Sequence, residues 1–307
     1  MKISIQTGTL FPELGVETSC RLFREAGFEA LDWDLCDDCP TNRLIAGERS
    51  GISILEKTLP EMLAFYADTL AAIRKEGLTL AQAHGPFPPY REQCPELMDY
   101  VIETTRNAIL LCDAVGCPNL VVHGVSIKKD WSITADDVRE LNRRLYTSLI
   151  PTLRRTNVTV CLENLTSSYP GSYTAGICSD PGEAIGMIDS LNAEAGRDCF
   201  GLCFDTGHYH MIHGDMRAYL LRLGKRVRAL HIHDNRGASD DHLAPYTGTI
   251  VWKDLYESLR TIGYAGDLSF ETFRQTCLSR LEPEMVAPWL RLIADTGKFF
   301  RDRINAG

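Results

Sequence analysis

Short, near-continuous apolar runs recur from one end of the chain to the other, each followed by a longer stretch of helical periodicity. The runs are Ile3 to Ile5, Ala30 to Trp33, Leu80 to Ala83, Leu120 to Val122, Val158 to Leu162, Gly201 to Phe204, Ala229 to Ile232, and Leu268 to Phe270. Strands apolar on both sides belong to a parallel sheet that helices cover on each face. Repeated βα units with no linker or break in composition predict a closed (β/α)8 barrel of the α/β class, a single domain over residues 1–307. A length of 307 residues suits that fold, which takes about 250 residues plus insertions. No glycine-rich dinucleotide fingerprint follows the first run, which argues against an open doubly wound sheet.

The intervening helices carry start and stop signals. Thr58 to Glu61 and Asp180 to Glu183 read as capping boxes, with Pro181 at a first helical position. Met62, Phe65, Leu70 and Ile73 are predicted to share one apolar stripe. Gly27, Gly77, Gly116 and Gly263 stand where a helix must turn left-handed into the next strand. Two connections are longer than a barrel needs, residues 34–57 and 234–251. Both are expected at the C-terminal mouth, where such barrels keep their functional loops.

Composition narrows the partners. The net charge is −9 with no basic stripe, which favours a small molecule over nucleic acid. Eleven cysteines are scattered, several of them (Cys112, Cys161, Cys203) inside predicted helices or strands, where a thiol packs as a small hydrophobe. Cys36 and Cys39 form a lone C-x-x-C without the second pair a zinc site needs, and read as loop thiols. No leader-like or membrane-length apolar segment is evident, so a cytoplasmic protein that avoids membranes is expected.

The ends of the runs carry the chemistry. The third ends in Ala83-His84, the fourth in Val122-His123, the fifth in Leu162-Glu163-Asn164 and the sixth in Phe204-Asp205-Thr206-Gly207-His208. The seventh ends in His231-Ile232-His233-Asp234 and the eighth in Phe270-Glu271-Thr272. Charged groups rarely occupy buried strand positions unless they are paired or bind a metal. A lone histidine such as His84 or His123 is more often a satisfied core or rim residue. Glu163 and Glu271 differ, because two carboxylates facing each other would repel without a cation between them. His231 and His233 share strand parity, so periodicity does not choose between them. His210 and His213 read as surface or supporting residues, while Trp33, Phe87, Trp131 and Trp252 are candidate pocket walls.

These strand ends resemble those of the xylose isomerase-like barrel superfamily, which includes sugar isomerases, sugar epimerases and endonuclease IV enzymes. The resemblance runs over nearly the whole chain. It implies one divalent ion held by Glu163, Asp205, His231 and Glu271, with His231 favoured over His233 by the His-x-x-Asp spacing to Asp234. It further implies that Glu163 and Glu271 double as acid and base. His84, His123, His208, Arg236 and His242 become candidates for contact with substrate, although Arg236 is not at the spacing of the matching arginine in epimerases. A homo-oligomer is implied on the same ground.

Three carboxylates and an imidazole form a hard site that suits Mn²⁺, Mg²⁺ or Co²⁺, with Zn²⁺ also open. Such an ion would chelate the carbonyl and adjacent hydroxyl of a ketose and stabilise the enediolate left by proton removal. Two glutamates on opposite faces would give epimerisation, and one shuttling carboxylate would give isomerisation. The expected activity is that of a metal-dependent isomerase or epimerase of a sugar, sugar phosphate or related polyol ketone. The first alternative is an endonuclease IV-like tri-zinc phosphodiesterase acting on abasic DNA, because Asp240 and His242 complete a set with His84, His123, Glu163, Asp205, His208, His231 and Glu271. A metal-dependent dehydratase of a keto-inositol or dehydroshikimate is a second alternative, and a non-catalytic sugar-binding barrel a third.

Overall fold

The computed structural model describes residues 1–36, 38–48, 51–128, 131–169 and 172–306. Its strands are β1 (Ile3–Gln6), β2 (Ala30–Asp34), β3 (Thr79–His84), β4 (Asn119–Val122), β5 (Thr159–Glu163), β6 (Thr166–Tyr169), β7 (Ser172–Ala175), β8 (Phe200–Asp205), β9 (Val227–His231) and β10 (Leu268–Phe270). Eight of them form one sheet in the order β10-β1-β2-β3-β4-β5-β8-β9, with parallel pairs such as Ile3 with Leu268 and Asn119 with Thr159. The edges meet where Ile232, just past β9, bridges Phe270, and the Ile232 N–H donates to Ser269 O at 2.8 Å. The expected (β/α)8 topology is therefore present. Its strands coincide with the apolar runs to within a residue or two, since the sheet buries them on both faces.

The chain forms two compact units, one of Met1–Trp33, Asp68–Ala81 and Cys203–Gly307, the other of Asp34–Ala67 and Gln82–Leu202. In the first unit, the helix Pro283–Asn305 lies on β1 and β10 through Gly297. A Cβ there would stand 2.6 Å from Ile3 Cγ2 and 2.8 Å from Phe270 Cε2, so only glycine allows this approach. Trp252 stacks on Phe300 at 5.4 Å and is buried, so it is a packing residue rather than a pocket wall. Trp33 is likewise buried.

In the second unit, the helix Leu97–Val115 buries Leu97, Val101, Ala108 and Ile109 at helical spacing. Tyr146, fully buried, donates its hydroxyl to Val122 O at 3.0 Å and so ties the helix Ala135–Thr147 to the end of β4. The long connection after β2 contains the short helices Thr41–Ile45 and Ile54–Glu56. Asp37, Arg49 and Ser50 of that connection lie outside the described residues.

Several expectations need correction. The helix after Thr58 has its capping box but breaks at Tyr66 into Leu59–Phe65 and Ala67–Lys75. The Tyr66 hydroxyl donates to Asp38 Oδ2 at 2.8 Å, and Phe65 beside it is 59% exposed, so it does not share the buried face of Met62 as expected. Asp180 caps its helix by accepting from the Glu183 N–H, but the Glu183 carboxylate accepts from the Cys178 N–H at 3.2 Å instead of closing the box. Cys178, two residues before the cap, has φ +58. The antiparallel pair β6–β7 departs from the sequence pattern, because its Ser- and Thr-rich stretch reads as loop. The four expected glycines all have positive φ (Gly27 +105, Gly77 +68, Gly116 +76, Gly263 +66).

All eleven cysteines are thiols, and all but Cys36 are buried. Burial pushes the Cys39 thiol above its ordinary value, against hydrogen bonds to Thr104, Ser53 and Tyr100 that pull it down. A protonated, enclosed thiol has packing as its role. Among the described residues no helix is long and apolar enough to cross a membrane.

Candidate metal and acid–base site

In the first unit, Asp205 ends β8, His231 ends β9 and Glu271 follows β10, all three buried. His231 Nδ1 lies 3.6 Å from Glu271 Oε2 and 4.0 Å from Asp205 Oδ2, longer than hydrogen bonds and short enough for donors that share one cation. Asp205 also shapes the backbone, because its Oδ1 accepts from the His208 N–H at 2.6 Å and caps the turn Thr206–Met211.

His233 lies beside this group. Its Nε2 is 3.0 Å from Asp205 Oδ2, and its ring stacks on His242 with centroids 4.0 Å apart. Thr206 Oγ1 donates to His233 O at 2.7 Å and accepts from His233 N–H at 3.0 Å. Gly207 then makes room for the ring, since a Cβ there would stand 2.0 Å from His233 Cε1. Gly207→Ala should displace His233 and lower stability by about 1–3 kcal/mol, the usual consequence of overpacking. Denaturant unfolding of the apo-protein checks this, and an unchanged midpoint would show that the ring moves aside freely.

Asp240 sits between two imidazoles, with Oδ2 2.9 Å from His242 Nε2 and 3.5 Å from His208 Nε2. Burial opposes its charge, yet hydrogen bonds and coulombic attraction from His208 and His242 prevail and hold the carboxyl well below the usual range. Its Oδ1 is buried with no hydrogen-bond partner among the described residues. His242 Nδ1 lies 3.0 Å from Glu271 O, so this histidine links the loop to β10. Asp234 is a structural acid. Its oxygens accept from Asn235 N at 2.9 Å, Tyr246 N at 3.0 Å, Ile250 N at 3.1 Å and Trp252 Nε1 at 3.1 Å. Arg236 is exposed, and its guanidinium donates to Thr247 O at 3.4 Å. His210 pairs with Asn235 Oδ1 at 2.7 Å, and His213 is exposed.

In the second unit, His84 ends β3, His123 follows β4 and Glu163 ends β5. His123 Nε2 is 2.7 Å from Glu163 Oε2 and 3.0 Å from His84 Nε2. Phe87 presents its edge to His123 at 4.5 Å, while Trp131 packs against Tyr90 instead. Ligating atoms of His84, His123 and Glu163 lie within 4.8 Å of one another, as do those of His233, His242 and Glu271. Buried imidazole and carboxylate donors, together with the buried Asp240 Oδ1, fit a divalent cation. Sequence reasoning missed Asp32, which sits inside the apolar run of β2. An acid within a strand buried on both faces was the signal for it.

Strand-end carboxylates and imidazoles on a (β/α)8 sheet define a class of barrel. Residues 20–302 match the family model described as xylose isomerase-like TIM barrel, and the chain belongs to that family. Within it, the chain is similar to protein y4fM of Sinorhizobium fredii, 27% identical over 84% of this chain and 81% of the relative. It is 24% identical to ketose 3-epimerase of Arthrobacter globiformis over 47% of this chain and 49% of that protein. Among solved structures, D-allulose 3-epimerase from Methylomonas sp. in complex with D-allulose superposes with a TM-score of 0.69 at 16% identity, covering 99% of this chain and 97% of the other. The IolI protein with a bound zinc atom gives 0.67 at 17% identity, over 99% and 98%.

Proposed function

We propose that the protein is a divalent-metal-dependent isomerase or epimerase of a sugar, sugar phosphate or related polyol ketone. Asp205, His231 and Glu271, with Glu163 from β5, would hold the ion. The observation that carries this reading is the approach of buried His231 Nδ1 to both Asp205 and Glu271. The named epimerase relatives support the substrate class. The bound ion would polarise the substrate carbonyl and hold its neighbouring hydroxyl. Glu163 and Glu271 would take a proton from carbon and return one. His208 and His242, kept in place by Asp240, would hydrogen-bond substrate hydroxyls, as would His84 and His123.

A second reading has its own support. His208, Asp240 and His242 form one contact chain, and His84, His123 and Glu163 form another. Both would be ligands in an endonuclease IV-like tri-zinc phosphodiesterase. The net charge of −9 weighs against a DNA substrate. Metal content by plasma mass spectrometry separates the two. About one ion per chain is expected, with solvent deuterium entering a ketose carbon on incubation. About three zinc ions per chain, with cleavage of abasic DNA, would replace the first reading with the second.

A further inference from the structure

We propose that the outer face of the helix Pro283–Asn305 is a surface on which a second copy of this chain docks, the two helices lying antiparallel about Leu292. Met285, Leu292 and Phe299 are seven residues apart, close to two turns each, and so form one line along the helix. They are 46%, 49% and 39% exposed, whereas Val286, Leu290, Ile293, Gly297 and Phe300 of the same helix are buried. The helix is thus apolar on two sides, and the described residues cover only one. The line continues sideways onto the helix Trp252–Thr261, where Tyr256 sets its ring edge-on to Phe299 at 6.1 Å, and Arg303 lies over the same Phe299 ring at 5.0 Å. Tyr246, 6.0 Å from Phe300, adds an exposed ring carried on a left-handed backbone (φ +70) that residues with a Cβ disfavour. Aromatic, methionine and arginine side chains are the types enriched where proteins bind one another.

Charge selects the occupant. Arg291 and Asp295 are exposed along one edge of the line, Glu282 is exposed at its start and Arg303 at its far end. A second copy laid antiparallel about Leu292 sets every residue opposite the one equally far beyond the centre. Met285 then meets Phe299 of the partner subunit, and Leu292 meets Leu292 of the partner subunit on the twofold axis, as an isologous contact requires. Arg291 and Asp295 come beside the partner's Asp295 and the partner's Arg291 in a neutral group of four charges. Asp295 is steadied on that edge by Lys298, which donates to it at 2.8 Å. Glu282 comes within a turn of the partner's Arg303. A parallel mate would instead set Arg291 against arginine and Asp295 against aspartate, and such like-charge contacts oppose association. None of these residues belongs to the proposed metal site, so the interface stands or falls apart from that reading.

Light scattering of the full chain after size-exclusion chromatography should give the mass of two chains or an even multiple. Leu292→Asp should halve that mass, because two carboxylates would meet on the axis, and should raise the dissociation constant about 100-fold or more in sedimentation. Its circular dichroism and unfolding midpoint should stay those of the parent, since the side chain is half exposed. Leu292→Cys decides the matter should the aspartate variant fail to fold. Mild oxidation should join it into a covalent dimer, while the parent, with only Cys36 outside the buried set, stays unlinked. Orientation is read from Met285→Cys, which should remain unlinked alone and become linked when combined with Phe299→Cys. A monomeric parent, an undiminished mass in Leu292→Asp, an unlinked Leu292→Cys, or linkage of Met285→Cys by itself overturns the inference.

Discussion

Glu271→Gln should abolish sugar turnover while the apo-protein keeps its fold. Glutamine has the shape of glutamate but neither accepts nor returns a proton at neutral pH, and loss of a positioned acid or base lowers a rate about 10²–10⁴-fold. Glu271 is 5% exposed and its Oε2 lies 3.6 Å from both His231 Nδ1 and His242 Nδ1, so a near-isosteric amide is the substitution that least disturbs the packing. Glu163→Gln should be equally inactive. It should also bind metal more weakly, as a charged donor becomes a neutral one, and loosen the 2.7 Å contact with His123. Deuterium wash-in from solvent into the substrate carbon reports the proton step separately from net conversion. Parent-like turnover by both variants would rule out the two-glutamate mechanism.

Asp234→Ala should destabilise the protein by about 3–5 kcal/mol, the scale seen when one member of a buried charged network is removed. The carboxylate gathers N–H donors from Asn235, Tyr246, Ile250 and Trp252, which span most of the connection after β9. The carboxylate is enclosed so tightly that no side chain fits at Gly248, where a Cβ would be 2.3 Å from Asp234 Oδ1. Without the acid the donors on Asn235, Ile250 and Trp252 are buried and unsatisfied. The connection that carries Asp240 and His242 would then lose its anchor. Urea denaturation of Asp234→Ala and Asp234→Asn checks the point. Asparagine should lose less because it keeps one acceptor, and equal stability of alanine and parent would show that the network is dispensable.

The sheet is legible in the sequence because each of its strands is built around a short apolar run, a pattern that survives without any knowledge of tertiary contacts. The positions of Glu163, Asp205, His231 and Glu271 are legible for the same reason, as each interrupts or ends such a run. Asp32 obeys that rule yet escapes notice because it falls before the end of its run, between Leu31 and Trp33. The break at Tyr66 is not legible, since it depends on a hydroxyl meeting Asp38 across sequence, and periodicity alone continues smoothly through Phe65. Nor is the role of Asp234. A His-x-x-Asp spacing draws attention to the pair, but only the fold shows that the acid serves a loop.

The burial of all cysteines but Cys36 bears on how the protein ages. Sulfur chemistry begins with an exposed thiolate, so in the native state air and peroxide meet little more than one half-covered side chain. Each transient opening changes that, because it exposes thiols that the packed barrel keeps covered. The packing that secures the barrel therefore also sets the pace at which random cross-links accumulate, through the rate and extent of its rare openings.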